Sequence, residues 1–165
     1  MLEKILPTDL YELLSKTLNY NLLFEIRLRL SKPISVNYGN KMYFLSPEGL
    51  CNDEENAIIC TKSLIDSIIL KSSNFSLYSV NEDIKRGFIT LNSGVRIGVC
   101  GEVVDENGHT VTVKNFNSIN IRFPHEVKNC SLNVLNHIFE DGQVLNTLVL
   151  SSPGAGKTTF IRDLC

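Results

Sequence analysis

A nearly all-apolar run, Leu145 to Leu150, passes directly into Ser151-Ser152-Pro153-Gly154-Ala155-Gly156-Lys157-Thr158. The chain continues as Thr159-Phe160-Ile161-Arg162-Asp163-Leu164, with apolar residues spaced for one helical face. Apolar strand, glycine-bearing loop, Gly-Lys-Thr and helix together form the setting of a phosphate-binding loop. In that setting successive backbone N–H groups converge at the positive end of a helix, where a polyphosphate satisfies them together. Gly154 and Gly156 allow backbone angles and a close approach that a Cβ would hinder. The candidate nucleotide-binding residues are therefore Ser152, Pro153, Gly154, Ala155, Gly156, Lys157, Thr158 and Thr159, with ATP and Mg²⁺ as the expected cofactors. Lys157 is the candidate catalytic group, reaching the β- and γ-phosphates, and the Thr158 hydroxyl is the candidate Mg²⁺ ligand. Ser151 stands where the usual pattern begins with glycine. The competing reading is a strand–turn–helix corner that happens to hold Gly-Lys-Thr.

This feature constrains the fold because a strand buried on both faces belongs to a parallel sheet. Such a sheet needs further strands joined by crossovers. Hydrolysis also needs an acidic residue on a later strand and a group that orients water. Only seven residues follow Thr158, so the expectation is a truncated RecA-like α/β ATPase domain that does not turn over ATP by itself.

Upstream, the pattern is mixed α+β. Leu10, Leu13, Leu14 and Leu18 recur at helical spacing behind Pro7-Thr8-Asp9. Phe24, Ile26, Leu28 and Leu30 then alternate with Glu25, Arg27 and Arg29, as in a half-buried strand. Residues 33–36 and 41–45 flank Tyr38-Gly39-Asn40 as a hairpin. Asn52 with Glu55 suggests a capping box opening a helix that carries Ile58, Ile65, Ile68 and Ile69 and ends near Lys71. Residues 75–80 look extended, and a helical turn at residues 81–83 should end at Gly87. Strands are expected over 88–91, 95–104, 110–113 and 119–123. Ser131 is the expected cap of a last helix through Leu132, Leu135 and Phe139, ended by Asp141-Gly142. The domain boundary is placed there, giving an N-terminal α+β domain over 1–143 and the start of the ATPase domain over 144–165.

The composition, 43% hydrophobic and 21% charged, supports a packed core. A net charge of −2 argues against a nucleic-acid surface spread over the fold. Cys51, Cys60, Cys100, Cys130 and Cys165 are odd in number and form no C-x-x-C pair, so free thiols in a reducing compartment are expected. No apolar stretch approaches the ~18 residues that span a bilayer, and a soluble, cytoplasmic protein is the expectation. His109, His125 and His137 are too scattered for a metal site. Cys100 is expected to be a small core residue rather than a nucleophile.

Several motifs in order resemble one family. They are Glu25-Ile26-Arg27-Leu28-Arg29, Phe75-Ser76-Leu77-Tyr78-Ser79, Lys85-Arg86-Gly87-Phe88-Ile89-Thr90-Leu91, Gly94-Val95-Arg96-Ile97-Gly98-Val99-Cys100-Gly101 and Ser118-Ile119-Asn120-Ile121-Arg122. Together with the phosphate loop, which in the family often reads Ser-Pro-Pro-Gly-x-Gly-Lys-Thr-Thr, they resemble the stage III sporulation protein AA family from about residue 20 to 165. Asn92-Ser93-Gly94 departs from the Gly-Gly pair more usual there. The resemblance implies an ATPase of endospore-forming bacteria, similar to the hexameric motors of type II and type IV secretion systems. It implies a homo-oligomer acting in the mother-cell cytoplasm, peripheral to a membrane-embedded sporulation channel, with no nucleic-acid partner.

Arg96 and Arg122, beside turns of the β-rich block, are candidates to reach a nucleotide phosphate or a neighbouring subunit, as N-domain arginines do in related motors. Against this stands a solvated strand-end arginine. Glu25, Arg27 and Arg29 share a strand face that could meet a partner or simply face water. Arg162 and Asp163 are expected to be surface or interface groups. The alternative for the whole chain is a non-catalytic docking module with a remnant phosphate loop.

Overall fold

Pro7 fixes its own φ at −57° and leads into helix α1 (Thr8–Thr17), with Asp9 in the first turn where an acid favours the dipole. Leu10 and Leu14 are buried along its inner stripe, four residues apart as one face requires. This is the computed structural model of the chain, which describes residues 2–125, 127–152 and 155–164. Its backbone gathers into two units, Met1–Pro124 and His125–Cys165. The boundary expected after residue 143 falls inside the second unit.

The first unit is a mixed α/β structure around a large antiparallel sheet. The strands are β1 (Leu23–Arg29), β2 (Ser35–Tyr38), β3 (Lys41–Ser46), β4 (Gly49–Cys51), β5 (Phe88–Thr90), β6 (Arg96–Glu106) and β7 (His109–Arg122), in spatial order β4-β3-β2-β1-β7-β6-β5. Helices α2 (Lys62–Ser72) and α3 (Asn81–Lys85) pack against β7. Ile26, Leu28, Ile97, Ile119 and Ile121 from the strands join Ile65, Ile68 and Ile84 from these helices in one core. Each such side chain contributes about 1.5–3 kcal/mol by leaving water. The alternate residues of the central strands form the opposite, polar face, as half-buried antiparallel sheets do.

The β1 alternation holds at Ile26 and Leu28 but not at Leu30, which is exposed. A register shift between Leu23 and Glu25 also buries Leu23 beside the periodic set. The expected β2–β3 hairpin forms around Gly39 and Asn40, whose φ values of 56° and 63° suit a type I′ turn. Asn107-Gly108 closes β6–β7 in the same way, at 52° and 78°. The strands expected over 110–113 and 119–123 are one continuous strand. The polar stretch between them is a bulge in which Asn115 (φ 48°) lies across from Gly101.

Three local expectations fail here. Asn52 opens no long helix: Glu54–Asn56 is a single 3₁₀ turn, and the following segment is extended, with Ile58 N–H donating to Leu45 O at 2.7 Å. Helix α2 begins instead at Thr61, whose hydroxyl accepts from Leu64 N at 3.2 Å. The 75–80 segment contains a 3₁₀ turn, Leu77–Val80, rather than a strand. Cys100 is exposed, because its side chain lies on the outer face of β6. Burial falls on Cys60 instead, whose thiol desolvation pushes up to about 11, leaving it unreactive.

The second unit holds α4 (Leu135–Ile138), a β8 (Phe139–Glu140) and β9 (Gln143–Val144) hairpin, and α5 (Lys157–Leu164). Phe139 is therefore in a strand, and Asp141-Gly142, at φ 48° and 77°, is a hairpin turn rather than a helix stop. Ser131 makes no side-chain cap. Residues 145–150 are assigned no strand, and Leu148 and Leu150 are each 80% exposed. A strand buried on both faces needs neighbours, and among the described residues only Leu145 of this segment has a backbone bond to another element, its N–H donating to Ile138 O at 2.7 Å.

Candidate functional site

The loop residues follow the 145–150 segment, which forms no strand. Gly156 takes φ 87°, a conformation that penalises any side chain, and α5 starts at the next residue. Phe160 N–H donates to Gly156 O at 2.9 Å and closes the first helical turn. Ala155 N–H donates to Ser152 O at 3.3 Å. Pro153 and Gly154 lie outside the described residues. The Lys157 ammonium reaches back to the start of the loop, where it donates to Ser151 O at 2.8 Å, Ser152 O at 2.9 Å and Ser151 Oγ at 3.2 Å. All three donors of the lysine are thus matched to loop oxygens. Thr158 is exposed and Thr159 half-buried on the first turn of α5.

Asp163, near the other end of α5, has a role that no local motif announces. Its Oδ1 accepts from Asn129 N at 2.9 Å, and its Oδ2 accepts from Ser131 N at 2.8 Å and Ser131 Oγ at 2.7 Å. The serine expected to cap a helix instead donates to this carboxylate, which satisfies the 129–131 backbone from outside. The Ser131 hydroxyl first, then the backbone N–H groups, hold the Asp163 carboxyl below the usual aspartate value. A cleft of about 250 Å³ beside α5 is bordered by His125, Lys128, Thr159 and Arg162. The partners of Asp163 lie more than thirty residues away in sequence, which is why spacing did not reveal them.

In the first unit, Arg96 and Arg122 occupy directly opposed positions on β6 and β7, and Arg122 is in turn opposed to Glu25 on β1. They sit at paired strand ends, not in turns. Like charges placed opposite each other disfavour the sheet. Arg96 relieves this partly by lying over the Phe88 ring, 5.0 Å from its centroid. Glu25 is 8% exposed, so it is not a solvated residue. It accepts from Arg27 Nε at 2.9 Å and Nη2 at 3.1 Å, while Arg122 Nε approaches at 3.9 Å. The Arg27 hydrogen bond is the main reason its carboxyl stays below the usual glutamate value. With Gly98 and Asn120, the arginines and Phe88 line a depression of about 230 Å³. The Asn120 Oδ1 atom is buried with no hydrogen-bond partner among the described residues. Gly98 and Asn120 were missed in sequence because only register places them between the arginines.

No cluster of three or more His, Cys, Asp or Glu side chains suited to a metal occurs among the described residues. No helix there is long and apolar enough to cross a membrane.

The chain matches the family model described as "Sporulation stage III, protein AA" over residues 1–165. It is 30% identical over 140 residues to "Stage III sporulation protein AA" of Bacillus subtilis (strain 168), covering 85% of this chain and 42% of that protein. The chain thus spans about two fifths of that relative's length. Among solved structures it is similar to the VirB11 ATPase of the Brucella suis type IV secretion system in complex with sulphate. That match has a TM-score of 0.41 and 16% identity, over 76% of this chain and 32% of the other, too distant to argue from. On the family match, which runs the full length of the sequence, the chain belongs to the stage III sporulation protein AA family.

Proposed function

We propose that the chain is the N-terminal part of an ATP-binding sporulation ATPase, which energises a secretion-like channel between mother cell and forespore. The observation that carries the reading is Lys157, at the start of α5, reaching back to the oxygens of Ser151 and Ser152. The ammonium holds loop oxygens it would exchange for phosphate oxygens, at a helix end whose N–H groups favour anions. Ser152, Pro153, Gly154, Ala155, Gly156 and Thr159 would line the phosphates. Thr158 would hold Mg²⁺, which when bound neutralises charge on the β- and γ-phosphates. Arg96 and Arg122, held one beside the other over Gly98 and Asn120, would offer a second anion contact, to a phosphate or to a neighbouring subunit of a homo-hexamer. Action in the mother-cell cytoplasm beside membrane-embedded channel proteins completes the reading.

The test is calorimetric titration of ATP·Mg²⁺ into a full-length family protein carrying this chain, with Lys157→Ala beside it. Saturable binding weakened by about tenfold to a hundredfold in the variant is expected, the range for losing a charge-assisted contact. A well-folded full-length protein that binds no ATP would overturn the reading and leave a docking module.

A further inference from the structure

β5 is one edge of the large sheet. Its pairing sets Phe88 against Gly98, Ile89 against Ile97 and Thr90 against Arg96. Val99 N–H donates to Gly87 O at 2.8 Å, and Leu91 N–H donates to Val95 O at 2.9 Å. In an antiparallel ladder bonded and non-bonded pairs alternate. The Gly87/Val99 and Leu91/Val95 pairs are bonded, so Ile89 faces β6 and the N–H and C=O of Phe88 and Thr90 point away from it. An edge with outward backbone groups is a template for another strand.

A cleft of about 500 Å³ lies along this edge, within the range of ligand pockets. Val80 and Leu91, with the nearly buried Ile5 and Ile89, give it an apolar wall alongside Ser72, Asn74 and Asn92, and the two charged side chains that border it, Lys4 and Lys71, are both cations. Lys71 is fixed in place by donating to Leu6 O at 2.7 Å. Open backbone donors and acceptors, an apolar wall and a positive rim fit one kind of occupant. From these we infer that the cleft takes an extended acidic peptide segment of a partner protein, added to the sheet as a strand beside β5. Phe88 and Thr90 supply main-chain hydrogen bonds, alternate peptide side chains cover the apolar wall, and its carboxylates meet Lys4 and Lys71. A flat anionic lipid surface fits less well, since it would leave the concave apolar wall and the strand edge unused. The inference is independent of nucleotide binding at Lys157.

The test uses the full 165-residue chain and fluorescein-labelled hexapeptides of alternating Glu and Val or alternating Lys and Val, followed by anisotropy and by amide shifts in NMR spectra. Saturable binding of the acidic peptide is expected, with the largest shifts at Phe88 and Thr90. Lys4→Glu should weaken it by about tenfold or more. Thr90→Pro removes an outward N–H without touching the β5–β6 ladder. If that variant fails to fold, an acidic peptide N-methylated at alternate residues makes the same test from the ligand side and should not bind. Equal binding of both peptides, undiminished binding of the methylated one, absence of saturation, or Lys4-dependent binding of phosphatidylglycerol vesicles without peptide binding would each overturn the proposal.

Discussion

Two glycines three residues apart on β6 make opposite demands, and replacing each by alanine separates them. Neither takes a positive φ. At Gly101 an added Cβ would lie 2.5 Å from Lys114 O, 3.0 Å from Val113 Cγ1 and 3.1 Å from Phe116 Cα. The nearest obstruction is backbone, so no rotamer change relieves it. The bulge that joins β6 to β7 has to open by about 1 Å to restore normal separations. It is held on one side by Asn115 Nδ2 donating to Glu102 Oε2 at 2.6 Å, and on the other by Lys62 Nζ donating to Phe116 O at 2.8 Å. Forcing volume into such a site costs about 1–3 kcal/mol. For a unit of this size that lowers the thermal midpoint by about 4–12 °C, taking roughly 4 °C per kcal/mol. At Gly98 the nearest atoms are 3.7–3.9 Å away, ordinary contact. Gly98→Ala should therefore be neutral or stabilising by up to about 1 kcal/mol through the unfolded chain. Circular dichroism melts of the two variants make the comparison. A Gly101→Ala midpoint within 2 °C of the parent, or a Gly98→Ala loss as large as that of Gly101→Ala, would refute the steric account.

Thr61→Ala should cost about 1 kcal/mol by removing the α2 cap, while Asn52→Ala stays within about 0.5 kcal/mol, as urea titrations would show. Glu25→Gln should cost about 1–3 kcal/mol by weakening the Arg27 pair. Because the folded-state pKa of Glu25 lies below its ordinary value of 4.5, its contribution is present above that pH and lost as pH falls through the lowered value. The variant's stability should accordingly fall less on acidification below pH 4.5. Asp163→Asn should speed amide exchange at Asn129 and Ser131 selectively, read by hydrogen–deuterium exchange, and uniform exchange changes would count against the carboxylate as their local anchor.

Strong local chemistry was legible in the sequence. Leu10 and Leu14 announced α1, the Ile26 and Leu28 alternation announced β1, and Gly39-Asn40 announced its turn, because each signal is complete within a few residues. The failures came where a local signal competed with a distant partner. Asn52 and Glu55 form a plausible cap in sequence, but Ile58 is claimed by Leu45, and the helix yields to pairing until Thr61. Lys114 and Asn115 look like loop residues, yet Gly101 across the ladder absorbs the extra residue in a bulge. After the loop, the helix expected from the spacing of Phe160, Ile161 and Leu164 forms as α5. The bond from Lys157 to the carbonyls of Ser151 and Ser152 was not foreseen, nor was the clamp of Asp163 on residues 129–131, since those depend on three-dimensional closure. Arg96 and Arg122 were singled out together, but that they stand directly opposite each other on β6 and β7 is set by register.

The bare 145–150 stretch has a consequence for the chain in solution. Leu145-Asn146-Thr147-Leu148-Val149-Leu150 is six residues long, uncharged, free of proline and mostly apolar, close to the profile of segments that stack as cross-β ladders. With its leucines in water it offers each molecule a template for the next. Self-association should therefore grow with concentration, and a charge introduced at Leu148, as a gatekeeper, should delay turbidity during storage while leaving the seven-stranded sheet intact.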